Sequence, residues 1–297
     1  MFHDPPGKKI LKLFLPAIIY ILAGGAAELI GVGVLKLVSG EDLTFSQFLY
    51  MLHVLFPVAL LLGRCVLTLP FLIVIFNKDS KRIPEELYIQ TSLKERPEFF
   101  TEKLTGNRAA AVICAVILTG IGFSVFVNLL FQLLGWGDAQ SAVTASAEAL
   151  AKVPLRYASV LVLNLLIAPC TEELMHRGIT YRNARTYMLR LFSLLISAGL
   201  FALLHGSIKQ GVYAFLLGLV LGNVYEWTGC LIFPVILHIA ANGTSLLLSL
   251  NAALNSFALG HKPVMMIVGG AVLAAGFLLV LLTASGKLFS GERNQKP

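Results

Sequence analysis

The apolar runs of this chain come in lengths that a lipid bilayer sets. A hydrocarbon core of about 30 Å takes about 20 apolar residues in a helix rising 1.5 Å per residue. Eight runs of that kind are read, at roughly 11–37, 47–76, 109–135, 154–182, 189–206, 211–227, 231–250 and 263–286. Charge agrees: 13% of the 297 residues are charged against 57% hydrophobic, about half of the ~25% charge of a soluble domain. A disordered chain, a fibrous repeat, a disulfide-stapled secreted module and an ordinary soluble enzyme are thereby excluded. The expected fold is all-α and polytopic, with about eight transmembrane helices. The first run follows Lys8, Lys9 and Lys12 as a signal peptide would, but its apolar character continues past Ala27 to Val38. That is too long for a signal h-region, so a retained span is expected.

A net charge of +7 would suggest nucleic acid in a soluble chain. In a membrane protein it reports orientation, and no nucleic-acid partner is expected. Lys and Arg number three near the N-terminus, seven from Lys78 to Arg108, four from Arg177 to Arg190 and three after Ala284. The opposite side holds five: Lys36, Lys152, Arg156, Lys209 and Lys262. Both termini are therefore expected in the cytoplasm. The chain divides into an N-terminal transmembrane region (1–150, three spans and a cytoplasmic hairpin at 77–108), a four-span core (151–250), and a final span with a cytoplasmic tail (251–297). The four cysteines lie in or beside apolar runs and read as free thiols.

Ionisable groups at bilayer depth are costly unless paired or facing a wet cavity. Glu28 and Arg64 are expected to pair with each other, and His53 reads as a structural histidine. The second half places Glu172, Glu173 and Arg177, then His205, then His238 and Asn242, each group on its own span. Glu173 and Arg177 are four apart and share a helix face, as do His238 and Asn242. From the charged helix ends, Glu172 lies about 15 Å deep, His205 about 22 Å, His238 about 10 Å and Asn242 about 16 Å at 1.5 Å per residue. All four fall in one band near mid-membrane, and Phe201 can pack beneath His205. His176, four residues after Glu172, reads as an interfacial histidine.

Burial disfavours a charged carboxylate and a neighbouring cation favours it. Glu172, free of the arginine, can serve as a base, while Glu173 tied to Arg177 acts as scaffold. A base with a histidine can polarise water for attack on a carbonyl, and a second histidine with an amide can donate to the resulting oxyanion. The same groups also suit a transporter's proton relay or a purely structural network. Zinc is an alternative, since two histidines and a glutamate can form a hydrolytic triad, although no H-E-x-x-H helix is present. Ser207 follows His205 without a G-x-S-x-G elbow and is not expected to be a nucleophile. Gly218 and Gly222 read as a helix-packing face.

These residues resemble a known family. Ala168-Pro169-Cys170-Thr171-Glu172-Glu173-Leu174-Met175-His176-Arg177-Gly178 is similar to the E-E-x-x-x-R signature of the CAAX protease and bacteriocin-processing (Abi) family. Phe201 to His205 matches its F-x-x-x-H motif, and His238 to Asn242 its H-x-x-x-N motif. The motifs follow in order, with 32 and 33 residues separating Glu173, His205 and His238, and the resemblance covers about 150–250. It implies an intramembrane glutamate endopeptidase in which Glu172 activates water with help from His205. His238 and Asn242 would form the oxyanion hole, with Glu173 and Arg177 supporting and no metal or other cofactor. The implied partners are the bilayer and a peptide or protein tail, lipid-modified, or a bacteriocin or signal peptide, in a bacterial plasma membrane. A non-proteolytic scaffold or bacteriocin-immunity protein of the same family is the alternative, and a transporter comes third.

Overall fold

The computed structural model describes residues 5–40, 43–82, 106–136 and 161–284. Among these the regular structure is entirely helical. Helix α1 (Pro6–Ser39) begins on Pro6, which needs no N–H partner in the first turn, and stops at Gly40 in the left-handed region. Helix α2 (Phe45–Leu55) is opened by a capping box, with the Thr44 hydroxyl accepting from Gln47 N–H and the Gln47 side chain accepting from Thr44 N–H. Helix α3 spans Pro57–Arg82. The expected continuous span at 47–76 is therefore broken at Phe56. Proline disfavours helical backbone in the residue before it, so Pro57 ends one helix and starts the next.

Helix α4 (Gly106–Leu133) is followed, after residues outside the described set, by α5 at 161–185. This helix is composite: α-helical turns alternate with wider π turns at Leu163–Ile167 and Leu174–Tyr181. Pro169 explains the first. It offers no N–H and its ring crowds the carbonyl four residues back, and an i→i+5 turn, with Ala168 N–H bonded to Leu163 O, lets the helix pass. Then come α6 (Arg190–Leu203), α7 (Ile208–Thr228), α8 (Ile232–Leu250), α9 (Ala252–Gly260) and α10 (Lys262–Ala284).

Six of the described helices are long and apolar enough to cross a membrane: Gly7–Ser39, Val58–Lys78, Gly106–Leu133, Ile208–Thr228, Ile232–Leu250 and Lys262–Ala284. The two further spans expected at 154–182 and 189–206 do not meet that description. The first begins outside the described residues and continues as the composite α5. The second is the 14-residue α6, which rises about 21 Å and falls short of a hydrocarbon core of about 30 Å.

The largest apolar cluster joins α4, α7, α8 and α10 through Val116, Phe123, Leu217, Leu221, Leu237 and Val280. Glycines, Gly120 and Gly276 among them, set how closely these helices approach. A Cβ on Gly120 would meet Leu237 O at 2.5 Å, and one on Gly276 would meet Thr119 N at 2.7 Å. A second cluster seats α1 and α3 on α5, through Tyr20, Leu72, Met175 and Ile179. On the other flank of α5, Arg185 pairs with Glu226 of α7 at 2.8 Å, and Tyr181 donates its hydroxyl to the same carboxylate at 2.6 Å. The composite helix is thus held from both sides, and the chemistry-bearing residues lie along it.

Candidate active site

Three segments bring the candidate residues to one cavity of about 230 Å³. Helix α5 contributes Glu172 and His176, the turn between α6 and α7 contributes His205, and α8 contributes His238 and Asn242; all five residues line it. The second π turn starts immediately after Glu173. Wide turns of this kind occur often where a helix presents functional groups.

Glu173 is fully buried and does not face the cavity as Glu172 does. One of its oxygens, Oε1, accepts from Arg177 Nη1 at 3.0 Å and from His238 Nδ1 at 2.8 Å. Arg177, also fully buried, donates through Nη2 to the carbonyl of Gly218 on α7 at 2.9 Å. Gly218 makes room for this contact, because a Cβ there would lie 3.0 Å from Ala198 Cβ and 3.3 Å from Arg177 Nη2. Its expected role as a packing position is thereby joined to the polar network.

The bond to a carboxylate puts a proton on His238 Nδ1, since a carboxylate oxygen only accepts. The other ring nitrogen, Nε2, faces Glu172 with 3.8 Å to Oε2. His205 is oriented in the same manner by backbone: Nδ1 bonds to Phe201 O at 2.8 Å. A carbonyl also only accepts, which leaves Nε2 of a neutral ring with its lone pair available. The Asn242 amide is anchored by donation from Nδ2 to Asn164 O at 3.2 Å, and a second N–H remains on that nitrogen.

Phe201 is the hub on which these groups rest. Its ring meets His205 edge-on at 4.8 Å, His176 at 5.1 Å and His238 at 5.6 Å, and Arg177 lies 5.0 Å from its centroid. The six residues singled out in the sequence are thus brought into one connected cluster.

Several expectations are corrected. His205 does not sit within a spanning helix; α6 ends at Leu203, and His205 occupies the turn that follows. His176 is not interfacial: it is wholly buried, and neither ring nitrogen has a hydrogen-bond partner. Its spacing from Glu172 was the available signal. Glu28 pairs with His53 at 3.3 Å, not with Arg64. Arg64 instead lines the cavity, together with Tyr20 of α1 and Tyr213 of α7. A cation alone in an apolar run was the signal for Arg64; nothing in the local pattern marked Tyr20 or Tyr213. Ser207 caps α7, its hydroxyl accepting from Gln210 N–H at 3.2 Å. Among the described residues, no group of three or more His, Cys, Asp or Glu side chains is placed to hold a metal ion.

Residues 154–244 match the family described as Rce1-like, type II CAAX prenyl endopeptidases. That stretch contains all six clustered residues, and the family is one of membrane proteases. The match and the apolar helices make the chain an integral membrane protein and support intramembrane protease activity in general. No curated protein and no solved structure matches the chain.

Proposed function

We propose that the chain is an intramembrane endopeptidase that hydrolyses a peptide bond with a water activated by Glu172 and His205. The observation that carries the reading is that Glu172, His205, His238 and Asn242 line one cavity while Glu173 holds His238 from behind. Water between Glu172 and His205 would give its proton to the carboxylate, with His205 Nε2 as a second acceptor. The hydroxide attacks the scissile carbonyl. His238 Nε2 and the second N–H of Asn242 then face the developing oxyanion, His238 donating from that nitrogen when doubly protonated. The amine leaves with the proton first taken from water. Arg177 and Glu173 orient His238 without touching substrate.

The substrate class is a peptide or protein tail, lipid-modified or a bacteriocin or signal peptide, reaching the cavity from the cytoplasm or laterally from the bilayer of a bacterial plasma membrane. No metal is required, because the carboxylate and imidazoles supply the base and the oxyanion donors.

The test is a proteomic comparison of membranes carrying wild type or Glu172→Gln, with and without a chelator of divalent metals. A defined set of new peptide ends, present with wild type, absent with Glu172→Gln and unchanged by chelation, is expected. Identical peptide ends in both membranes would refute the peptidase. Loss on chelation, restored by zinc, would replace water activation by Glu172 and His205 with a metal mechanism.

A further inference from the structure

Helix α8 carries a third polar residue in register with the two oxyanion donors. His238, Asn242 and Ser245 stand at i, i+4 and i+7, one stripe of a helix, and span about 10 Å at 1.5 Å per residue. Ser245 is buried and does not line the cavity. Its hydroxyl meets three groups on two other helices. Ser124 Oγ of α4 lies at 2.6 Å, Asn128 Nδ2 of α4 donates at 2.9 Å, and the Tyr213 hydroxyl of α7 lies at 3.3 Å. Three contacts match the one donor and two acceptor sites of a hydroxyl. Asn128 Nδ2 also reaches Ser124 Oγ at 3.3 Å, while Asn128 Oδ1 is buried with no hydrogen-bond partner.

This group is poorly suited to be helix glue alone. Single hydrogen bonds between helices in a bilayer stabilise weakly, and a buried amide oxygen without a donor is costly. Its geometric effect is larger. Apolar faces in lipid do little to fix how one helix is rotated against the next. Helix α8 is fixed at one point where His238 Nδ1 donates to Glu173 Oε1 at 2.8 Å, and at another by Ser245. Asn242 lies between the two. Its Nδ2 also donates to Asn164 O of α5 at 3.2 Å. The first π turn suits that carbonyl to a side-chain donor, since Ala168 N–H bonds Leu163 O and Pro169, the next donor position, has no N–H. With one N–H held there, the rotation of α8 decides where the second points. At about 5–6 Å from the helix axis, a rotation of about 10° moves the amide by about 1 Å. A misplacement of about 1 Å can cost about 10²-fold in rate.

We infer that Ser245, held by Ser124, Asn128 and Tyr213, is a positioning residue for the Asn242 amide. The inference rests on the peptidase reading, in which Asn242 faces the oxyanion, and makes α4 part of the catalytic frame. Ser124, Asn128 and Ser245 lie outside the 154–244 stretch that matches the protease family, so nothing in that match gives them a role. They do not line the cavity and act through Asn242.

The experiment uses the full chain in lipid nanodiscs and a degenerate decapeptide mixture, half of it carrying an S-farnesyl cysteine, with cleavage read by mass spectrometry. Rates are taken per folded enzyme, well below the lowest melting temperature of the set. The oxyanion exists only after attack, so its donors act on kcat and hardly on KM. Ser245→Ala is expected to lower kcat about 10-fold with KM within about 2-fold, a partial loss of what the amide supplies. Tyr213→Phe, which keeps the ring and removes one contact, is expected to give a smaller loss of the same kind. Asn242→Ala alone is expected to cost about 10²–10³-fold, which mass spectrometry still follows over hours. With Asn242→Ala present, adding Ser245→Ala is expected to change kcat by less than about 2-fold, because the amide it positions is gone. If Ser245→Ala does not fold, Tyr213→Phe carries the same comparison. An equal fall in both backgrounds, or an unchanged kcat beside a lower melting temperature, makes the group a packing feature and overturns the inference while the peptidase stands. An Asn242→Ala enzyme as fast as wild type removes the oxyanion role of Asn242 and the inference with it. No cleavage of the mixture by wild type overturns the peptidase reading itself.

Discussion

At the scale of single residues, the site is organised around one carboxylate oxygen. Glu173 Oε1 takes both Arg177 and His238, so the charge balance of the buried cluster and the direction of the His238 ring depend on one atom. Removing one member of a buried ion pair leaves the other uncompensated, at a cost of about 3–5 kcal/mol, whereas removing both is far milder. Glu173→Ala is therefore expected to lower thermal stability in detergent more than the double change Glu173→Ala with Arg177→Ala does. A double variant as unstable as the sum of its singles would show that the pair is not coupled. Spacing along the chain has a limited reach at this scale. The pairs Glu173/Arg177 and Phe201/His205 meet as their four-residue intervals predict, because those intervals fall within or at the end of a helix. Glu28 and Arg64 do not meet, because nothing in the sequence specifies how α1 rotates against α3.

At the scale of elements, packing depends on where backbone can approach backbone. In a bilayer, apolar side chains gain little by leaving lipid for protein, so close contact through small residues drives association. Helices α4 and α10 meet at Gly276, where added atoms would strike Thr119 N, Thr119 Oγ1 and Ala115 O. Backbone cannot yield as a side chain can. Gly276→Leu is expected to separate this pair and cost about 1–3 kcal/mol or more, read as a lower melting temperature or loss of the monodisperse folded fraction in detergent. Gly25→Ala is the control: nothing lies within 4 Å of its Cβ position, and alanine favours helix by about 0.8–1.0 kcal/mol over glycine. Stability equal in the two variants would refute the close-approach account. Between α4 and α8, Ser124, Asn128 and Ser245 form a buried hydrogen-bonded group with Tyr213, which ties that packing to the cavity wall.

At the scale of the entire chain, the bilayer dictates the architecture and charge sets its orientation. Counted over the eight expected crossings, Lys and Arg divide 17 to 5, which predicts both termini on the cytoplasmic side. A protease-sensitive tag at either end of the chain should be digested only when the cytoplasmic face is open to the protease. Digestion of one tag from the opposite face would require an odd number of crossings. The helical class, the long apolar helices and the order of the three motifs were all legible in the sequence. Each follows from local chemistry, in the form of hydrophobic length, helical period or residue spacing. Spans interrupted from within were less legible. Pro57 splits what hydropathy joins, and Pro169 is absorbed by a π turn within α5, since a window average records neither a missing N–H nor its repair. The Glu172 cluster could be assembled from spacing and depth, although His205 reaches it from the turn after α6 and not from within a span. Tertiary structure alone brought His176 into the core and placed Arg64 and Tyr20 on the cavity that Glu172 lines. Those placements depend on the rotation and depth of one helix against another, set by glycine-scale contacts between segments distant in the chain. Local sequence determines which helices form and which atoms they carry; only packing decides which of those atoms meet.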